Sequence, residues 1–227
     1  INLARFAETM FSKFPKNTVL TSLAGTLSGA RQALTAAQLA YAEAVSEIVH
    51  ARAEVRFADY SADRGVRSLM RNAEDTDGHR NGKIATALFP QGVTPVIKPV
   101  GATQVDAMRV LEGRLDAAKG AWDKAIAMKT EITTLRTQYE AALEQRKTAA
   151  QKASDARAAR DAAKEDFLDV YAEVAARVKA EHPRDRRMQD LFFDTVSSDD
   201  SPVEEGNDDD AVIPQPSAAP EGAPSPA

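Results

Sequence analysis

The sequence predicts an all-α protein built on a long antiparallel hairpin of two helices. Three observations lead to this prediction. Alanine accounts for 43 of the 227 residues, well above ordinary usage, and it is the strongest helix former. Proline is absent from residues 16–89 and 100–182, so each of these blocks can form one long helix. In both blocks, apolar and alanine positions recur with the alternating three- and four-residue spacing of a coiled coil.

The first predicted element is a short amphipathic helix within residues 1–16. Large apolar side chains follow helical spacing there, between charged ones: Leu3, Phe6, Met10, Phe11 and Phe14. A second apolar group follows the second long helix: Leu191, Phe192 and Phe193. An antiparallel hairpin brings both groups to the same end of the molecule. We expect them either to cap the coil or to contact a membrane surface or a protein partner.

The segment Ala4-Arg5-Phe6-Ala7-Glu8, ahead of a long hairpin, is similar to the amphipathic start of phage-shock-protein-A-like membrane remodelling proteins. The similarity covers these few residues only. The proline-rich loop and the alanine columns depart from the pattern of that family, and we do not assign the chain to it.

The second predicted element is the hairpin body, residues 17–193. It comprises a helix at 18–77, an ordered loop containing Pro and Gly at 78–103, and a helix at 104–181. Asp77-Gly78 marks the end of the first helix, and Pro183 marks the end of the second. Glycines at 65 and 120 leave open an alternative, a four-helix bundle formed by breaks in the helices or by dimerisation.

Alanine fills one column of the heptad repeat in each long helix. The predicted packing seam consists of Ala30, Ala37, Ala44 and Ala51 in the first helix with Ala142, Ala149, Ala156 and Ala163 in the second. Facing residues of an antiparallel hairpin have a constant sum of residue numbers, and pairing these columns end to end gives 193. That register puts the turn near residue 96, inside the proline-rich loop. Small residues along a seam allow two helices to approach closely.

The last predicted element is a disordered acidic, proline-rich tail at 194–227. It carries nine acidic and no basic residues, and five of its last fourteen residues are proline. Such a composition cannot bury enough apolar surface to fold. Without the tail, the body has 29 basic and 25 acidic residues. This small excess makes nucleic acid an improbable partner, because nucleic-acid-binding proteins usually show a dense basic face.

The sequence offers little for an active site. With no cysteine, thiolate metal sites and disulfides are excluded. Glu47-Ile48-Val49-His50 has the spacing of a di-iron helix motif, but such sites use two of these motifs and two further glutamates. We therefore predict no catalytic residue, cofactor, metal or small-molecule substrate.

The predicted function is that of a non-enzymatic structural or scaffold protein, self-associating and binding a protein partner of unknown identity. The acidic tail would serve as a spacer or recruitment segment. A membrane-surface protein that uses the N-terminal amphipathic helix is the alternative, and a nucleic-acid-associated helical protein is less favoured. No stretch has the composition of a signal peptide or a membrane span, so we expect a cytoplasmic location.

Overall fold

The computed structural model describes residues 1–193, and this part of the chain is all-α, without a β-strand. The predicted tail, 194–227, lies outside the described residues. The seven α-helices are α1 (Asn2–Ser12), α2 (Thr18–Asp77), α3 (Lys83–Leu88), α4 (Thr94–Ile97), α5 (Ala102–Ala117), α6 (Ala125–Glu181) and α7 (Arg186–Leu191). The two long helices, α2 and α6, pack against each other as an antiparallel hairpin.

Helix α2 spans the predicted range 18–77 without interruption. Asn17 caps its start, since the side-chain oxygen accepts hydrogen bonds from the backbone N–H groups of Val19 and Leu20 at 3.0 and 3.2 Å. Gly78 ends it in the left-handed conformation, with φ of 73°. At 60 residues, α2 is about 90 Å long. Its length makes the hairpin a rod rather than a globule.

The second long helix, predicted as continuous from 104 to 181, is interrupted. A 3₁₀ turn at Ala118–Gly120 and a short link separate α5 from α6. Trp122 in the link is 2% exposed, and its indole N–H donates to the Thr76 hydroxyl at 3.1 Å. A continuous helix would overhang the end of α2 and leave its apolar face in water. The break folds that face back onto the hairpin.

Charged side chains fix α5 antiparallel to the first part of α6. The Arg136 guanidinium of α6 donates to Glu112 of α5 at 2.7 Å, Arg109 of α5 pairs with Glu140 of α6, and Lys129 of α6 pairs with Asp116 of α5. Helices α2, α5 and α6 therefore share one buried core at this end, which we call the loop end (residues 55–143). Only one of the two breaks considered for a four-helix bundle is present.

The other candidate break, Gly65, is part of an uninterrupted helix. A Cβ atom built on Gly65 would lie 2.2 Å from Leu135 Cδ1. This glycine therefore allows close approach of α2 to α6, which explains why it persists inside a helix despite its low helix propensity.

The loop 78–103 is ordered and contains α3 and α4. Its buried side chains Leu88, Phe89 and Val96 join the core formed with Met108 and Leu111 of α5. The Asp77 carboxylate accepts hydrogen bonds from the backbone of Ile84 and Ala85, and these bonds lower the pKa of Asp77. Val100 and Val110 are exposed.

The register of the hairpin differs from the predicted one by one heptad. Four contacts between α2 and α6 define it: Gly65 with Leu135, Asp59 with Tyr139, Glu47 with Lys152, and Tyr41 with Arg160. The residue numbers of these pairs add up to between 198 and 201 instead of 193. Ala51 thus faces Ala149, and both line one groove. A slip of seven residues leaves alanine opposite alanine, so the alanine columns alone could not distinguish the two registers.

Candidate interaction surfaces

The predicted packing seam lies between the long helices, but it is not fully covered. Four of its alanines are buried and four are half-buried. The buried ones are Ala44, Ala51, Ala142 and Ala149, and the half-buried ones are Ala30, Ala37, Ala156 and Ala163. Such small side chains leave room for solvent along one side of the seam.

Within residues 1–193, the middle of the hairpin consists of two helices only. Its residues, 35–54 of α2 with 144–162 of α6, belong to neither of the two large buried clusters. We call this part the stalk. An ion pair between Glu47 and Lys152 at 3.1 Å and a contact of the Arg160 guanidinium with the Tyr41 ring, 4.4 Å from its centroid, cross it. The stalk is therefore the thinnest part of the described hairpin.

One side of the hairpin, which we call the open face, carries a row of grooves between α2 and α6. A groove of about 590 Å³ is lined by Glu47, Ala51, Ala149 and Lys152, among others. Two further grooves continue it toward the loop end, and Phe57 lines both. The grooves exist because alanine and glycine occupy the seam column on this side.

Two aromatic side chains that the heptad pattern did not single out lie beside these grooves. Phe57 is 67% exposed and Tyr60 is 59% exposed. Both line the groove that also contains Gly65 and Leu135. They stand outside the two heptad columns, so the periodicity that located the seam gave no signal for them.

The apolar groups at the other end of the hairpin come together as predicted from the antiparallel topology. The ring of Phe192 lies 5.1 Å from that of Phe11 and 5.4 Å from that of Phe14. Phe11 and Phe192 are buried, whereas Leu3, Met10, Phe14 and Phe193 are half-buried and Phe6 and Leu191 are exposed. Helix α1 thus caps the coil with one face. We call this end the terminal end.

Helix α1 is also fixed by an ion pair. The Arg31 guanidinium of α2 donates to both oxygens of Glu8, at 2.7 and 3.0 Å. Such a bidentate pair fixes the orientation of α1 relative to α2 in addition to its electrostatic attraction. The hydrogen bond to Glu8 raises the pKa of Arg31 above its usual value.

Positive charge gathers at the terminal end. Lys13, Lys16, Arg184 and Arg187 are exposed and form no ion pair with another residue of the described range 1–193. With the exposed Phe6 and Leu191, they give this end a basic and partly apolar surface.

A polar network ties the loop to both long helices at the loop end. The buried Tyr139 hydroxyl accepts from the Gly101 backbone N–H at 2.7 Å and donates to Asp59 at 3.0 Å. One turn along α2, Asp63 accepts from the buried Gln104 amide at 2.7 Å. Burial of its carboxyl raises the pKa of Asp63, and the Asp59 charge adds to this, while the Gln104 amide opposes it.

Replacing Tyr139 by phenylalanine should lower the free energy of unfolding at pH 7 by about 1–3 kcal/mol, because it leaves the Gly101 N–H and Asp59 without their partner. Burial raises the pKa of Tyr139 to about 12, whereas an unfolded tyrosine ionises near pH 10. The wild-type advantage should therefore be constant below about pH 10 and shrink between about pH 10 and 12. Urea unfolding of both proteins across this range measures it. An advantage that stays constant up to pH 12 would contradict a buried hydroxyl.

The single Glu-x-x-His spacing does not gather metal ligands. Glu47 pairs with Lys152, and His50 is exposed at the groove edge. Within residues 1–193, no group of three or more His, Asp or Glu side chains is arranged to hold a metal ion.

None of the helices in residues 1–193 combines the length and the apolar character required to cross a bilayer. Comparison of the chain with family models, with curated proteins and with solved structures finds no match.

Proposed function

We propose that this protein is a non-enzymatic helical scaffold, a stiff hairpin that self-associates through its open face and keeps its two ends apart. The observation that carries the proposal is the stalk. It is a two-helix coil about 30 Å long, at 1.5 Å per residue over residues 35–54. Its seam alanines Ala37 and Ala156 are only half-buried. A second copy would complete the layer that a two-helix coil lacks.

The extent of the shorter helices within residues 1–193 supports self-association through the stalk. Helix α1 covers the hairpin near Arg31, and α5 covers it near Asp63. Between these points, within residues 1–193, no helix other than α2 and α6 contributes to the stalk. The acidic residues 194–227, outside the described range, would act as a spacer or recruitment segment.

The mass of the full-length protein in solution tests self-association. Light scattering after size-exclusion chromatography, over a hundredfold range of concentration, should show a mass that approaches twice that of one chain. A mass of one chain at every concentration would refute a self-associating scaffold.

A membrane-surface role is the second candidate, and the terminal end favours it. Exposed Phe6 and Leu191 lie at the same end as Lys13, Lys16 and Arg187, whose charges are unpaired in the described range. Each basic side chain near an anionic bilayer contributes about 1 kcal/mol of attraction. The exposed apolar side chains could enter the headgroup region while α1 stays docked.

Flotation with vesicles distinguishes this second role. The full-length protein should float with phosphatidylglycerol vesicles and remain at the bottom with phosphatidylcholine vesicles. Phe6→Glu should reduce flotation, whereas Val49→Glu, on an exposed valine of the stalk, should leave it unchanged. Equal loss in both variants, or no flotation of the wild type, would remove this candidate.

A further inference from the structure

The open face has two unlike halves, and one of them is aromatic. Near the loop end, Phe57 and Tyr60 project into solvent with about two thirds of their surface exposed. Both line the groove formed with Gly65 and Leu135. Aromatic side chains exposed beside a groove are typical of interface anchors.

The other half of the open face is lined by alanine. Positions seven residues apart lie on the same side of a coiled-coil helix. Ala33 and Ala40 therefore continue the row of the groove residues Glu47 and Glu54, and Ala37 continues the row of Ala51. On α6, Ala159 continues the row of Lys152. Ala156 and Ala163 continue the row of Ala149. We call this set the alanine patch: Ala33, Ala37, Ala40, Ala156, Ala159 and Ala163.

Every member of the alanine patch is exposed or half-buried. Leu39, which is 61% exposed, occupies the heptad position of Tyr60 three repeats earlier and borders the patch. The patch is thus shallow, apolar and without large side chains at its centre, a shape that accepts a projecting aromatic ring.

We propose that two copies of this chain pair through their open faces, with Phe57 and Tyr60 of each copy seated on the alanine patch of the other. This inference rests on the proposed self-association and names its surface. A two-fold axis that relates position 57 to position 37 passes through residue 47, and it relates position 60 to position 34. Position 34 is the buried Leu34 and lies between Ala33 and Ala37 along α2. One symmetric arrangement therefore brings Phe57 and Tyr60 of each copy to the level of Ala33 and Ala37 of the other, as an isologous interface requires.

An ion pair lies at the predicted axis. Glu47 and Lys152 form the ion pair that crosses the stalk there, at 3.1 Å, and both side chains are more than half exposed. A two-fold axis at this point brings the Glu47–Lys152 ion pair of one copy against the same pair of the other. The centre of the interface therefore carries no net charge.

The size of the open face is sufficient for a stable pair. From Ala33 to Arg64 it is about 47 Å long, and two helices side by side are about 16 Å wide, which gives roughly 750 Å² per copy. A standard protein interface buries about 800 Å² per partner. The pairing would also cover the half-buried seam alanines.

Sedimentation equilibrium of full-length variants tests the surface. Phe57→Ala combined with Tyr60→Ala should weaken the pair by at least about 100-fold, because two central aromatic anchors are removed. Ala40→Glu should have a similar effect, because it places a charge in the apolar patch. Ala42 and Val49 are exposed on the outer side of α2. The control substitutions Ala42→Glu and Val49→Ala should therefore leave the association constant unchanged. Circular dichroism melts confirm that each variant is folded.

Disulfide formation tests the register, and the absence of native cysteine makes it a clean experiment. Phe57→Cys with Ala37→Cys should yield a covalent dimer on oxidation. Within one chain these positions are about 30 Å apart along α2, too far for an internal bridge. The outer pair Ala42→Cys with Val49→Cys should remain mostly monomeric.

The outcomes separate the two proposals. A wild-type mass of one chain would overturn both. A wild-type dimer whose association is unaffected by the Phe57, Tyr60 and Ala40 substitutions would keep self-association and overturn this surface. Equal crosslinking of the 37–57 and 42–49 cysteine pairs would overturn the register.

Discussion

Replacing Ala51 and Ala149 together by leucine should lower the free energy of unfolding by about 2–6 kcal/mol, the largest loss we expect from any pair of substitutions in the hairpin. The two alanines are only 8% and 6% exposed and line the same groove. Because both alanine side chains are buried in the seam, a leucine at either position must push α2 and α6 apart before it can reach the open groove beside them. Overpacking of this kind forces the helices apart or the side chains off their rotamers.

Thermal and urea unfolding measure this loss, with about 2–4 °C of melting temperature per kcal/mol for a chain of this size. Ala53→Leu combined with Ala150→Leu is the matched control, since both alanines are exposed on the same two helices. That control should change the free energy of unfolding by less than about 0.5 kcal/mol. A similar loss in both double variants would show that the seam is elsewhere.

The same substitutions distinguish the observed register from the one expected from the alanine columns. Ala51 faces Ala149 in the structure, whereas Ala142 lies beside Ala58 in the next groove. Leucines at 51 and 149 compete for the same space, so their effects should be non-additive by about 0.5–3 kcal/mol. Leucines at 51 and 142 are about one heptad apart and should be additive. Coupling of 51 with 142 instead would restore the register that sums to 193.

The side of each helix that packs could be predicted from the sequence, but the register could not. Heptad spacing locates Leu20, Leu27, Leu34 and the alanine column with no knowledge of the partner helix, because it depends on one helix alone. Register depends on pairs far apart in the chain. Here Gly65 with Leu135 and Asp59 with Tyr139 fix it, and neither pair is recognisable until both helices are in place.

Of the candidate surfaces, the terminal end could be predicted from the sequence and the aromatic part of the open face could not. The meeting of Phe11 with Phe192 at the terminal end follows from the antiparallel topology, and it was predictable. The exposure of Phe57 and Tyr60 beside the grooves could not be predicted from the sequence. Both residues lie outside the heptad columns, and whether such a side chain is exposed depends on which other parts of the chain pack over it. Farther along the same helix, the loop-end core covers Val66 completely. In the part of the chain that the structure describes, no such cover reaches Phe57.

Replacing Trp122 by alanine should lower the free energy of unfolding by about 3–5 kcal/mol. The indole ring is buried in the loop-end core, in the link where α5 folds back onto α6. Its removal leaves a large cavity at the break between α5 and α6. Gly120 beside it exerts no packing constraint of its own, since a Cβ atom built there would meet no neighbouring atom within 4 Å. Trp122→Phe keeps most of the packing and loses the hydrogen bond to Thr76, so it should cost much less.

Hydrogen exchange shows where the damage falls. In Trp122→Ala, protection should decrease in α3 and α5, while the terminal-end cluster of Phe11 and Phe192 keeps its protection, because the two clusters are separated by the stalk. Ile126→Ala, at a 62% exposed position in the next turn, is the matched control and should change little. A uniform loss of protection along the whole rod would mean that the hairpin folds as one cooperative unit through the stalk. In that event the alanine seam would couple the two ends more tightly than its small side chains suggest.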